Sequence, residues 1–194
     1  VGIAGTAVEC KDGISTIKYI NSLNIRISRE LTGCADKVMK YVYGNTLIIS
    51  PPGCGKTTIL RDIIRQISNQ GINISVVDER CEISGMYLGN IQFDLGICTD
   101  VLCCYSKSIG MNMMLRSMGP KIIAVDEIGS DEDILAIHNL LNSGVKIIAT
   151  IHCDTIENIL QKPFIENIVK EKIFDSYIIL NNNKKTGDLY KIYD

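Results

Sequence analysis

Thr46 to Arg61 reads Thr-Leu-Ile-Ile-Ser-Pro-Pro-Gly-Cys-Gly-Lys-Thr-Thr-Ile-Leu-Arg, and this stretch decides the fold. Leu47, Ile48 and Ile49 form a short apolar run, as a buried strand does. A turn with Gly53 and Gly55 follows, then Lys56-Thr57-Thr58 and an amphipathic helical pattern. Strand, glycine turn and helix in that order make a phosphate-binding loop. Backbone N–H groups of such a loop and of the first helical turn point into one concavity and hold phosphate oxygens. The binding set is therefore Pro52, Gly53, Cys54, Gly55, Lys56, Thr57 and Thr58. Lys56 would reach the β- and γ-phosphates of ATP, and the Thr57 hydroxyl would ligate Mg2+. Ser50 stands where the pattern G-x-x-x-x-G-K-[ST] has its first glycine, with Pro51 and Pro52 to stiffen the turn.

Downstream, strand and helix patterns alternate. Strands are expected near 46–50, 72–78, 121–126, 145–151 and 176–181. Helices are expected near 56–69, 108–118, 131–142 and 155–170, the last interrupted by Pro163. Such alternation predicts an α/β domain, a mostly parallel sheet covered by helices on both faces. The Asn-rich run 181–188 reads as a turn before a last strand, Leu189 to Tyr193.

Residues 1–45 differ. Val1 to Val8 and Ile14 to Ile20 read as strands joined at Lys11-Asp12-Gly13. Asn24 to Arg29 alternates polar and apolar as a half-buried strand does, and Ala35 to Tyr43 reads as a short helix. Residues 1–30 are taken as the end of an N-terminal α+β domain, 31–45 as linker and helix, and 46–194 as the nucleotide domain. The chain opens on strand-like residues at Val1 rather than on Met, which reads as a fragment with residues missing before it. Arg26 and Arg29 are either solvated or reach a neighbouring subunit's nucleotide.

Charge and composition narrow the function. The 194 residues carry a net charge of −2 without a long basic run, which disfavours an extended nucleic-acid surface. No apolar run approaches the roughly 18 residues of a membrane span. The eight cysteines form no Cys-x-x-Cys pair, so zinc-ribbon and thioredoxin readings lack support; they read as reduced, small apolar fillers.

Four further stretches carry chemistry. In Lys121 to Glu127 an apolar strand ends in two acids. Asp126 would hold the Mg2+ hydration shell opposite Thr57, and Glu127 would polarise the attacking water. Val76 to Glu82 is a second acid-tipped strand, and its three acids within five residues call for a balancing metal or for Arg80. Glu82 or Glu79 is the alternative base. Val145 to Ile151 ends at His152, so Thr150 and His152 would face the crevice where such sheets bind ligands. Arg116, in the methionine-rich run before Lys121, either binds phosphate or is solvated.

Ser50 to Thr58, Val77 to Ile83, Leu115 to Pro120 and Ala149 to His152 together resemble the type II/type IV secretion ATPases, in a branch from endospore-forming bacteria. That family has a Walker A loop, an Asp box, a Walker B strand and a His box in this order. The resemblance implies a RecA-like P-loop NTPase domain behind a small N-terminal α+β domain. It implies a homo-hexameric Mg2+-dependent ATPase, located in the mother-cell cytoplasm at the inner face of the forespore-engulfing membrane. Its partners would be membrane proteins of a secretion-like channel. Gly53, Gly55, Lys56 and Thr57 carry over as binding residues, Asp126 as the Walker B acid, Glu82 as the Asp-box base and His152 as the His box. Asp126-Glu127 stands where the secretion enzymes often have Gly-Glu, so the choice of base between Glu82 and Glu127 stays open. The alternatives are a nucleotide-binding switch without turnover, and a small-molecule P-loop kinase, for which no arginine-bearing lid is visible.

Overall fold

A computed structural model describes residues 2–11, 13–25, 29–42, 44–153, 169–180 and 189–193, the last for their backbone. Seven strands form one sheet: β3 (Thr46–Ser50), β4 (Ile74–Asp78), β5 (Thr99–Cys103), β6 (Ile122–Val125), β7 (Lys146–His152), β8 (Ser176–Leu180) and β9 (Leu189–Tyr193). Their order is β5-β4-β6-β7-β3-β8-β9, and all neighbours are parallel except β8 and β9. The strand order places β7 between the loop-bearing β3 and the acid-tipped β6. Ile48 pairs with Thr150 and Ser50 with His152 on one side, Val125 with Ala149 on the other.

The alternation of strand side chains divides the core in two. Leu47, Ile49, Ile123, Val125, Ile147 and Ala149 face helices α3 (Lys107–Ser117) and α4 (Asp131–Asn142). Ile48, Val76, Ala124 and Ile148 face α2 (Lys56–Ser68) and the single turn α1 (Asp36–Met39). On α2, Ile59, Ile63 and Ile67, with Leu60 and Ile64, lie on one face at four-residue spacing and are buried. Ser130 caps α4: its hydroxyl accepts from the Asp133 N–H while the Asp133 carboxylate accepts from the Ser130 N–H.

The fold class is the expected one. Three differences are informative. The helix expected over 35–43 is one turn, because only Ala35 and Val38 are buried there. The edge strand β5 was not anticipated; none of its residues is fully buried, so its apolar signal is weak. β1 (Gly2–Cys10) and β2 (Gly13–Asn24) form a separate antiparallel pair, each longer than expected and almost wholly exposed. Arg26, residues 155–168 of the expected last helix with Pro163, and the turn at 181–188 lie outside the described residues, as do Val1 and Asp12.

Candidate nucleotide site

The site is built at the carboxyl ends of β3, β6 and β7. Ser50 is the last residue of β3, fully buried and extended, and its hydroxyl donates to the Pro51 carbonyl at 2.9 Å. Extended backbone suits any residue, so the missing first glycine costs nothing here. The left-handed turns fall at Gly53 (φ +80) and Gly55 (φ +86), where a β-carbon would be strained. Gly55 is also the N-cap of α2. The loop therefore ends on a helix N-terminus, whose orphan N–H groups attract anions.

Lys56 is 5% exposed, and burial pushes its ammonium pKa down despite the nearby Asp126 and Glu127. Its Nζ lies 2.7 Å from Nδ1 and 2.9 Å from Nε2 of His152. His152 also contacts the Glu127 carboxylate through Nε2. One tautomer satisfies both: Nδ1 accepts from Lys56, and Nε2–H donates to Glu127. Arg80 donates to the other Glu127 oxygen at 2.9 Å. Lys56, His152, Glu127 and Arg80 thus form one polar chain across the mouth of the loop.

Asp126 is held by two hydroxyls. Thr57 Oγ1 donates to Oδ2 at 2.8 Å, and Thr150 Oγ1 donates to Oδ1. Thr57 and Asp126 present hard oxygen donors side by side, the chemistry Mg2+ selects. Lys56 is a buried cation with a ring nitrogen as its described hydrogen-bond acceptor, which leaves charge for an anion to neutralise. The residues present fit a Mg2+-nucleotide.

An open cleft adjoins them, lined by Asp78, Glu79, Arg80, Glu82, Lys107, Asp126 and Glu127. Its three Asp-box acids behave differently. Asp78 is 2% exposed and accepts from the Glu82 and Ser84 N–H groups and the Ser84 hydroxyl, so it shapes the loop. Glu79 pairs with Lys107 at 2.7 Å. Glu82 is exposed on the cleft wall. Arg80 balances Glu127 on the neighbouring strand rather than the acids beside it in sequence. Arg116 is exposed in the last turn of α3, which leads into the amino end of β6, at the edge of the sheet opposite Asp126. The structure does not bring it to the cleft.

Arg61 was not singled out by the sequence. Its guanidinium is buried and donates to the Ile83 and Glu82 carbonyls, both at 2.8 Å, and to the Arg29 carbonyl at 3.0 Å. It also lies 3.8 Å over the Phe93 ring. It ties α2 to the Asp-box loop. Of the cysteines, Cys54 is buried and Cys10 and Cys104 are exposed, so the filler reading fits only some of them.

The fold is a mixed α/β one with a mostly parallel sheet, similar to the P-loop domains of secretion ATPases. The pilus retraction motor PilT with bound ADP superposes with a TM-score of 0.56 at 20% identity, over 89% of this chain and 53% of that one. The ATPase DotB of Legionella pneumophila gives a TM-score of 0.56 at 17% identity, over 74% of this chain and 43% of that one. Within that class the chain belongs to the family described as Sporulation stage III, protein AA, whose model matches residues 1–194. Stage III sporulation protein AA of Bacillus subtilis (strain 168) is 39% identical over 204 residues, spanning 100% of this chain and 66% of that protein. Among the described residues, no helix is long and apolar enough to cross a membrane.

Proposed function

We propose that this chain is the ATPase unit of a secretion-like motor required for endospore formation, hydrolysing ATP to ADP and phosphate with Mg2+. The observation that carries this reading is the meeting of Lys56, Thr57, Asp126, Glu127 and His152 from three strand ends. Lys56 and the loop N–H groups hold the β- and γ-phosphates. Thr57 and Asp126 hold the metal, which when bound neutralises charge on the phosphates. Glu127, rather than Glu82, is the base: it shares His152 with Lys56, whereas Glu82 lies on the exposed wall. Its carboxylate takes a proton from the attacking water as the water oxygen bonds to the γ-phosphorus and the β–γ bridging bond breaks. His152 responds to the γ-phosphate because that group competes with it for Lys56.

One observation favours a nucleotide switch as the second reading. Both Glu127 oxygens are engaged, one by His152 and one by Arg80. Turnover requires this pairing to open; a site that keeps it would bind without hydrolysing.

The rest of the proposal follows the family. Residues 1–30 close an N-terminal domain, 31–45 link it, and 46–194 form the RecA-like unit. Six copies assemble into a ring in the mother-cell cytoplasm, held at the inner face of the forespore-engulfing membrane by channel proteins. An arginine from the neighbouring copy completes each site, a contribution of roughly 10³–10⁵ in related NTPases. Arg29 is the candidate that lies among the described residues. The test compares Glu127→Gln with Glu82→Gln. Glu127→Gln is expected to bind ATP and lose phosphate release; equal loss in Glu82→Gln alone would reverse the assignment.

A further inference from the structure

In an extended strand, neighbouring side chains point to opposite faces of the sheet. Asp126 and Glu127 follow directly on β6, where continued extension would send them to opposite faces, yet both line one cleft. The backbone explains this. Glu127 takes a left-handed φ of +52°, which breaks that alternation and lets it line the cleft with Asp126. A non-glycine residue is strained in such a conformation, so something must hold it.

Thr150 does so. It sits on β7, fully buried between the Walker A and Walker B strands. Its hydroxyl accepts from the Glu127 N–H at 2.9 Å and donates its single proton to Asp126. Its carbonyl accepts from the Ile128 N–H at 2.9 Å. The polarity is unambiguous, because an amide can only donate and an ionised carboxylate can only accept. One side chain thus orients the metal-side acid and pins the turn that aims the other acid at His152 and Arg80. We propose that Thr150 is the positioning residue that sets Asp126 and Glu127 in a common cleft, coupling the metal position to the base. This inference rests on the nucleotide-site reading above.

The test uses Thr150→Val, close in shape but without the hydroxyl, and Thr150→Ser, which keeps it. Binding of a fluorescent ATP analogue is titrated with Mg2+ and again with a chelator. Thr150→Val is expected to bind the analogue as wild type does in chelator, because Lys56 and the loop are untouched. It is expected to lose at least about tenfold of the tightening that Mg2+ gives, the scale of one hydrogen bond to a charged group. Phosphate release should fall, with KM for Mg2+-ATP rising in step with the lost tightening, and Thr150→Ser should stay within about threefold of wild type. If Thr150→Val does not fold, the contrast of Thr150→Ser with Thr150→Ala isolates the same hydroxyl. Wild-type Mg2+ dependence in the valine or alanine variant would overturn the inference and leave the nucleotide site standing. Equal losses in the serine variant would also overturn it. No analogue binding by wild type itself would overturn the nucleotide site, and this inference with it.

Discussion

Replacing Arg61 with Met keeps most of the apolar stem and removes the guanidinium. Three carbonyls lose their donor. The Ile83 carbonyl belongs to a fully buried residue and is left dry, at about 2 kcal/mol. The Glu82 and Arg29 carbonyls belong to exposed residues and are rehydrated, at about 0.5–1 kcal/mol each. The stack on Phe93 contributes about 1 kcal/mol. Release from burying a cation offsets about 1 kcal/mol of this. The net loss is therefore about 3–4 kcal/mol, or roughly 6–16 °C in Tm for a domain of this size. The control is Arg65→Met. Arg65 bonds the buried Asp62 at 2.7 Å, and without it Asp62 keeps the Ala35 N–H and Gln66 as donors, so the loss is about 1.5 kcal/mol. Equilibrium urea unfolding of wild type and both variants gives the comparison. A loss below about 1 kcal/mol for Arg61→Met, or equal losses in the two variants, would refute the reasoning. The Asp-box loop should also become the first site cut by limited proteolysis in Arg61→Met.

Two further predictions follow from ionisation. Burial opposes the Asp62 charge, but the Ala35 N–H, Arg65, the Gly33 N–H and Gln66 hydrogen bonds together hold its carboxyl below the usual aspartate range. A carboxyl lowered in the folded state adds stability that is full above the ordinary aspartate pKa and is lost as pH falls through the lowered value. Asp62→Asn should be less stable than wild type at neutral pH and flatter on the acid limb; parallel limbs would contradict this. Burial pushes the Cys81 thiol up to about 12, helped by contact with Cys104, and the Cys34 thiol up to about 11, helped by Asp62. The thiolate is the reactive form, so iodoacetamide at pH 8 should label Cys10 well before Cys81 and Cys34, read by peptide mass spectrometry. Early labelling of Cys81 would show that the contact between the Cys81 and Cys104 sulfurs, 3.4 Å apart, does not persist in solution.

What was legible in the chain followed from local spacing. Gly55-Lys56-Thr57 after an apolar run places a phosphate loop wherever the strand lies. Asp126 and Glu127 announced a strand tip, and His152 another. The relation between these tips was not legible, because it depends on strand order. That β7 lies between β3 and β6 is a property of the whole sheet, and it brings Thr150 and His152 between Lys56 and the acids. Arg80 could be named as a balancing charge but not given its partner, which comes from the next strand but in chain order lies 47 residues away. Arg116 is the opposite case. It is near Asp126 in sequence, but β6 runs the length of the sheet between them. Arg61 carries no local signal, and only the fold of the Asp-box loop over it makes its face of α2 an interior. β5 stayed hidden because an edge strand needs little apolar content.

The measurement that tests the account most directly is phosphate release from ATP with Mg2+, made on this chain and its Lys56→Ala variant across protein concentration. The account predicts turnover that rises per subunit as concentration rises and vanishes in Lys56→Ala. Nucleotide binding and turnover unchanged by Lys56→Ala would contradict it.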